Sequence, residues 1–294
     1  MPSNAVLLML LLATAPSDLR PIDCEACAGW NAPQAPFRLH GNSYYVGTRG
    51  LSAVLVATDQ GLVLIDGGLP QSAPVIAANI ASLGYRLSDL RWILISHAHY
   101  DHAGGIAALQ RLSGAKVAAT AHAAAALRAG DVPADDPQVG FGRAANAFPP
   151  VTDVVELEDG ALIRVGGTTL TMHATPGHTP GGSTWSWRSC EGEDCRNLVY
   201  ADSLTAVSAP GFRFSDAPAL LAQFEATFTR VEALPCDLVV SAHPDATGLF
   251  NKLAVREGQG TGPALLDSAS CRNYAAAGRE WLKKRLAKEA GSTQ

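Results

Sequence analysis

Four side chains that can bind metal ions lie within six positions of one another: His97, His99, Asp101 and His102. They follow a short apolar run, Trp92 to Ile95, which predicts a buried strand. In extended or loosely turned backbone alternate residues point the same way, so two of these side chains can reach one ion and two a neighbouring ion. Neutral imidazole and carboxylate groups are the usual ligands of zinc. The pattern predicts a metal site at the end of a strand rather than a solvated polar loop.

The backbone and the other histidines fit such a site. Gly104 and Gly105 allow the chain to turn closely beneath the ions before a helix that begins at about Ile106. His178 and His243 also lie where a predicted strand runs into a loop, and each is flanked by proline or glycine. A site for two ions needs further ligands, and these two histidines can supply them. The remaining histidines lie inside predicted elements, where we expect structural roles: His40, His122 and His173.

The pattern His97-x-His99-x-Asp101-His102 resembles the signature of the metallo-β-lactamase superfamily of dinuclear zinc hydrolases. The similarity covers about the whole mature chain, from the predicted strand at residues 42–47 through the Cys236/Cys271 pair, and is densest in SHAHYDHAGG, ATPGHTPGG, YADSLTAVSAPGFRFSD and SAHP. It implies an α/β fold, the αββα sandwich, in which two mixed β-sheets are flanked by helices. It also implies two Zn²⁺ ions per chain, the first held by His97, His99 and His178. The second would be held by Asp101, His102 and His243.

The residues after Asp202 indicate a branch of the superfamily. One β-lactamase subclass has a cysteine ligand there, whereas this chain has Ser203, with Thr205 two residues later. The chain is thus most similar to subclass B3, in which these hydroxyls would contact the carboxylate of the substrate. The resemblance implies hydrolysis of the β-lactam amide bond by a zinc-bound hydroxide, with penicillins, cephalosporins and carbapenems as substrates and antibiotic resistance as the result. Asp101 would be a ligand that also orients the hydroxide.

Two alternatives remain open. Asp202 lies where glyoxalase II and the lactonases place a carboxylate that bridges both metals, so the chain could instead hydrolyse lactones or thioesters. A zinc-dependent binding or sensory module without turnover is the other alternative, and a closed set of ligands would favour it.

Length and composition fit one soluble catalytic domain. The chain has 294 residues, of which 47% are hydrophobic, and its two halves are each rich in strands and then helical. The net charge of -5 argues against binding to nucleic acid, which favours a basic face. We expect a monomer that acts on a small molecule.

The amino terminus carries an apolar run, Ala5 to Ala15, that is too short to span a bilayer. It predicts a secretory signal within residues 1–20, followed by one domain over residues 21–294 and a periplasmic location. No lysine or arginine precedes the run, so a strand or core helix is the alternative. No second stretch is long and apolar enough for a membrane helix.

Six cysteines agree with export. Cys190 and Cys195 are spaced for a short disulfide, and a bond from Cys236 to Cys271 would attach the last helix to the body of the fold. The Cys24-Glu25-Ala26-Cys27 pair is either a local disulfide or two free thiols. Reduced, cytoplasmic cysteines are the alternative for all six. Exported members of the resembled family can join the amino-terminal segment to the first hairpin by a disulfide, but residues 48–50 contain no cysteine.

Three other segments bear on the site. Asp66 precedes two glycines after a predicted strand, and it either orients a metal ligand or forms a simple turn. Residues 130–150 are predicted to form a long irregular loop, and Phe141 and Phe148 favour a wall of the substrate site over a solvated connection. Two strands, residues 152–158 and 161–173, are predicted to form a hairpin around Asp159-Gly160.

Overall fold

Two mixed β-sheets form the centre of the protein, and the computed structural model describes residues 16–259 and 264–291. The first sheet holds seven strands side by side in chain order: β1 (Phe37–His40), β2 (Ser43–Tyr45), β3 (Val54–Thr58), β4 (Gly61–Ile65), β5 (Leu90–Leu94), β6 (Lys116–Thr120) and β7 (Val154–Leu157). The second holds five, from one edge to the other: β8 (Leu162–Val165), β9 (Thr168–Ala174), β10 (Ser183–Glu191), β11 (Asp194–Ala201) and β12 (Leu238–Ser241). Each sheet contains antiparallel and parallel pairs.

Helices cover the outer faces of both sheets. Those of the described chain are α1 (Cys27–Trp30), α2 (Ala73–Ser82), α3 (Tyr100–Ala103), α4 (Ile106–Ser113), α5 (Ala121–Ala129), α6 (Arg143–Asn146), α7 (Pro218–Ala233), α8 (Leu249–Arg256) and α9 (Ser270–Gly291). Apolar residues of α2, α4 and α5 pack on the first sheet. Residues of α7 and α9 pack on β11 and β12 of the second sheet. The αββα sandwich expected from the sequence is therefore confirmed.

Strand β3 shows why the layers form. Its residues from Val54 to Ala57 are all buried, and successive side chains point to opposite faces of the sheet. Leu55 and Ala57 pack against the helices, whereas Val54 and Val56 pack against the second sheet. A continuous apolar run is what a strand buried on both faces requires. Strands β3 and β4 pair antiparallel and form a hairpin around residues 59–61.

The predicted hairpin around Asp159-Gly160 is wrong. Strand β7 pairs in parallel with β6 of the first sheet, while the next segment splits into β8 and β9 of the second sheet. Val154 packs in the core beneath the helices, whereas Ile163 and Val165 pack between the sheets. Burial in two different cores decides the pairing, and the Asp159-Gly160 turn carries the chain from one sheet to the other.

The functional edge of the sandwich is formed by strand ends. Strands β4 and β5 run parallel, so both end at the same edge of the first sheet. The directions of β9, β11 and β12 likewise bring their carboxyl ends to one edge of the second sheet. At this edge the Ser183 amide donates to the Ser96 carbonyl at 2.7 Å, and the Trp185 indole donates to the Ile95 carbonyl at 2.9 Å. The loops after both sheets therefore meet.

Three disulfides join the six cysteines. The predicted Cys190–Cys195 and Cys236–Cys271 bonds are confirmed, and the open question at Cys24 and Cys27 is resolved as a local disulfide. The apolar run of the predicted signal, Ala5 to Ala15, lies outside the described residues. Among the residues that are described, no helix is long and apolar enough to cross a membrane.

Candidate metal centre

The six predicted ligands come together at this edge. His97 follows β5, His99 precedes α3, and Asp101 and His102 lie within α3. The other two predicted ligands come from the second sheet: His178 between β9 and β10, and His243 after β12. The chain just after α3 packs closely against the Asp66–Gly68 turn because residue 105 is glycine. A Cβ there would lie 2.2 Å from the Gly67 carbonyl oxygen.

The first group of candidate ligands, named group one here, consists of His97, His99 and His178. One nitrogen of each ring lies within 4.8 Å of the others. The His97 Nε2 atom is fully buried and has no hydrogen-bond partner among the described residues. An unpartnered buried nitrogen beside two other imidazoles fits a metal ion, because burial without a partner is otherwise costly.

The second ring nitrogens of group one are each fixed by a partner. Asp202 Oδ1 accepts from His97 Nδ1 at 2.7 Å, and the Thr205 carbonyl oxygen lies 2.7 Å from His178 Nδ1. Asp136 Oδ2 lies 3.1 Å from His99 Nε2. Contacts of this kind hold a metal-binding ring in one tautomer and one orientation. Group one is thus preorganised for an ion.

Group two consists of Asp101, His102 and His243. The His102 Nε2 atom lies 3.2 Å from His243 Nε2 and 3.2 Å from Asp101 Oδ2, and His243 Nε2 lies 3.3 Å from the same carboxylate oxygen. Ligand atoms about 2.0 Å from a tetrahedral zinc are separated by roughly 3.3 Å. The three atoms therefore already have the spacing of three corners of a zinc tetrahedron.

The pKa shifts of three candidate ligands suit metal binding, whereas at His243 burial lowers the pKa but Asp101 raises it by more. Burial and the neighbouring histidines lower the pKa of His97 well below its usual value, and burial together with His99 lowers the pKa of His178 to about 3. Burial opposes ionisation of Asp101, yet His102 and His243 bring its pKa well below its usual range. Neutral imidazole and ionised carboxylate are the forms that bind divalent cations.

Asp202 lies behind His97 instead of between the two groups. Its Oδ1 atom contacts His97 Nδ1, the nitrogen on the side of the ring away from the unpartnered Nε2, and it also accepts from the Ser203 amide at 2.8 Å. The carboxyl is fully buried, and burial raises its pKa. In this arrangement Asp202 Oδ1 contacts a candidate ligand, while the buried Asp202 Oδ2 atom has no hydrogen-bond partner among the described residues.

The predicted substrate contacts, Ser203 and Thr205, lie beside group one. Ser203 is buried, and the Thr205 hydroxyl lies 3.3 Å from His178 Nδ1. Asp66 lies near a candidate ligand, with its Oδ2 3.7 Å from His102 Nδ1, but its hydrogen bonds are accepted from Ser96 and Tyr200.

The loop at residues 130–150 does not place Phe148 in a wall of the substrate site, as the sequence had predicted. Phe148 is 5% exposed and belongs to the core, so it is not a wall of the site, while Phe141 is 43% exposed. The loop instead contributes Asp136, which is buried against His99. Sequence reasoning missed Asp136, because an aspartate in an irregular loop carries no periodic signal.

The histidines assigned to structural roles have partners elsewhere. His40 contacts the Asp194 carbonyl at 3.0 Å, and His173 contacts the Ser186 hydroxyl at 2.7 Å. His122 pairs with Asp135 on the surface.

A family model and several solved structures match this chain. A family model described as the metallo-beta-lactamase superfamily matches residues 46–192, half of the chain. The solved structure of Rm3 metallo-beta-lactamase is 53% identical, with a TM-score of 0.86 over 92% of this chain and 100% of that chain. MEM-A1, a subclass B3 metallo-beta-lactamase isolated from a soil metagenome library, is 46% identical, with a TM-score of 0.85 over 90% and 99%. MIM-1 from Novosphingobium pentaromativorans is 42% identical, with a TM-score of 0.82 over 90% and 94%.

The curated relatives that match this chain are named differently from the solved structures. The hydroxyacylglutathione hydrolase of Anaeromyxobacter dehalogenans is 32% identical over 169 residues, which are 58% of this chain and 52% of the relative. That of Cereibacter sphaeroides is 31% identical over 60% of this chain and 55% of the relative. The chain thus spans about half the length of the curated relatives it matches.

Proposed function

The chain belongs to the metallo-β-lactamase superfamily of hydrolases, and we propose that within it the chain is a subclass B3 β-lactamase that uses two zinc ions. The single observation that carries the proposal is the contact of Asp202 Oδ1 with His97 Nδ1, which supports an orienting role for this carboxylate over a bridging one. The similarity to solved metallo-β-lactamases over about nine-tenths of the chain supports the same substrate class.

The two groups of side chains would hold the ions. His97, His99 and His178 would hold the first, and Asp101, His102 and His243 the second. With three protein ligands each, both sites would keep the open position of a catalytic site, which favours a hydrolase over a module that only binds metal. When bound, zinc supplies Lewis-acid polarisation of a carbonyl and activation of water at neutral pH.

The chain's own residues would do the rest. The Asp101 carboxylate, which is kept ionised, can accept a hydrogen bond from the attacking water and orient it. The hydroxyls of Ser203 and Thr205 would bind the carboxylate of a penicillin, cephalosporin or carbapenem, directly or through water. A chain of this kind would act as a monomer in the periplasm and confer resistance, and its three disulfides fit an oxidising compartment.

A second candidate function follows from the curated relatives. Their name, hydroxyacylglutathione hydrolase, favours hydrolysis of a thioester, for which Asp202 would have to move from His97 to bridge both ions.

The test compares both substrates on one preparation. Purified protein lacking the predicted signal would be assayed with a carbapenem and with a hydroxyacylglutathione thioester, and its zinc content would be measured on the same sample. We expect carbapenem ring opening that a chelator abolishes, with about two zinc ions per chain.

The control variant is His122→Ala, a surface histidine outside the site, which should keep full activity. Thioester hydrolysis without carbapenem turnover in the zinc-loaded protein would contradict the proposal and support the second candidate.

A further inference from the structure

Trp30 packs against the proposed metal ligand His243, although the two residues are far apart in the sequence. Its indole ring is 5.3 Å from the His243 imidazole, centroid to centroid, at an interplanar angle of 50°. It is also 6.4 Å from the ring of Tyr100, the residue before Asp101. Trp30 belongs to residues 22–34, which we call the amino-terminal segment and which no motif of the site includes.

A short turn connects Trp30 to His243. The Trp30 carbonyl oxygen accepts from the Gly50 amide at 3.1 Å and from the Thr48 hydroxyl at 2.6 Å. On the opposite side, the Gly50 carbonyl oxygen lies 3.3 Å from His243 Nδ1, the ring nitrogen that does not face Asp101. The peptide units of Gly50 are thus bonded to the segment on one side and to the ligand on the other.

The packing at this turn depends on the glycine. A Cβ at Gly50 would lie 2.7 Å from the Cα and 2.8 Å from the Cδ1 of Trp30. Real Cβ atoms do not approach so closely, and the backbone of Trp30 cannot yield without moving the segment. Trp30, Gly50 and His243 therefore form one close-packed stack.

The amino-terminal segment is held to the body of the protein by hydrogen bonds. The Gln71 side chain accepts from the Ile22 amide at 3.1 Å and donates to its carbonyl at 2.7 Å. The Ser72 hydroxyl donates to Asn31 Oδ1 at 2.6 Å. The Cys24–Cys27 disulfide closes within the segment and does not link it to the first hairpin.

His243 has more freedom than the other proposed ligands. Its side chain is 32% exposed, whereas none of the other five is more than 9% exposed. An exposed side chain loses rotamer freedom when it binds an ion, and a neighbour that fixes it beforehand reduces that loss.

We propose that the amino-terminal segment is a positioning element for the second ion, in which Trp30 and the Gly50 turn fix His243. The inference rests on the proposed function, because it assumes that group two holds zinc. It assigns to Trp30 an effect on metal affinity through His243, without contact with the ion.

The experiment measures zinc affinity by competition with a chromophoric chelator and does not depend on any substrate. For Trp30→Ala we expect the dissociation constant of the second ion to rise about tenfold, the lower end of the effect of losing an outer partner, with the first unchanged. Trp30→Phe should restore most of the affinity, because an aromatic ring still packs on His243.

Two controls separate folding from positioning. Trp281→Ala removes an exposed tryptophan from α9 and should leave both affinities unchanged. Gly50→Ala keeps the Trp30 side chain but pushes it away, and it should weaken the second ion in the same way. If Trp30→Ala does not fold, the zinc affinity of Gly50→Ala tests the inference in its place.

The outcomes are distinct. A second-ion affinity within twofold of the wild type in both Trp30→Ala and Gly50→Ala would overturn the inference. His243→Ala is titrated in parallel, and if it still binds the second ion as the wild type does, the proposed metal site is wrong instead.

Discussion

Group one and group two differ in how firmly the protein holds their ligands. Each histidine of group one has its second ring nitrogen fixed by a partner at 2.7 to 3.1 Å, and two of these partners are buried carboxylates. In group two the corresponding distances are 3.7 Å from His102 to Asp66 and 3.3 Å from His243 to the Gly50 carbonyl. We infer that the first ion binds more tightly and that the second leaves first.

The difference also concerns where the partners lie. Two of the three partners in group one, Asp202 and the Thr205 carbonyl, lie just beyond β11, close to the core of the second sheet, and the third, Asp136, lies in the loop at residues 130–150. The support of His243 comes from a turn and a segment near the amino terminus. A ligand held by the core is fixed when the domain folds, whereas a ligand held by a peripheral segment can be loosened locally.

Removal of one ligand from each group should give the largest effect. His178→Ala should lose turnover and most of its zinc, because the firmly held ion loses a third of its protein ligands. His243→Ala should also lose turnover but retain about one zinc ion per chain. Metal analysis after dialysis, with circular dichroism to verify the fold, measures both. Equal zinc loss in the two variants would contradict the ranking of the groups.

Asp202→Asn should have an intermediate effect and should act on the first ion alone. The amide keeps the shape but replaces the carboxyl group that contacts His97 Nδ1, so affinity for the first ion should fall about tenfold. Chelator competition measures the change, and Asp135→Asn, in an exposed pair with His122, is the matched control. Loss of both ions would mean that Asp202 bridges them, which would favour the thioester hydrolase.

Glu289→Gln should have the smallest effect on the site and a measurable one on stability. The Glu289 carboxylate accepts from the amides of Phe214 and Ser215 at 3.1 and 2.9 Å and pairs with Arg285 at 2.7 Å. These contacts hold α9 to the loop that follows Thr205. We expect the variant to lose about 1 kcal/mol of unfolding free energy at pH 7, with zinc affinity unchanged.

The pH dependence of this loss has a definite sign. Burial would raise the pKa of Glu289, but the two amides and Arg285 lower it from its ordinary value of 4.5 to about 2. Its contribution is therefore fully present above the ordinary pKa and disappears as the pH falls toward 2. Urea unfolding at neutral and acidic pH tests this, and Glu280→Gln, exposed on the same helix, should show no such change.

The meeting of the six candidate ligands was predictable because each lies in a recognisable local sequence pattern. His97, His99, Asp101 and His102 lie in one short motif, and His178 and His243 each follow a strand and lie next to glycine or proline. The fold class followed from the alternation of strands and helices, aided by the family resemblance.

What determines the orientation of those ligands was not predictable. Asp136 and Trp30 reach the site only through long-range packing of irregular segments, and neither has a periodic or spacing signal. The pairing of β7 with β6 was missed for the same reason, because core burial decided it against a good local turn. Local sequence therefore specifies the donors, and tertiary packing specifies how firmly each is held.

Each group takes two candidate ligands from residues 97–102, which follow β5, and one from a loop of the second sheet. A bound ion would consequently cross-link the two sheets through their loops, in addition to the packing between the sheets. At free zinc about one hundred times the dissociation constant, one such ion adds about 2.7 kcal/mol to stability. In a cell short of zinc the protein would be inactive and would also have a lower free energy of unfolding. Proteases would therefore degrade it sooner. Metal supply would set the lifetime of the protein as well as its activity.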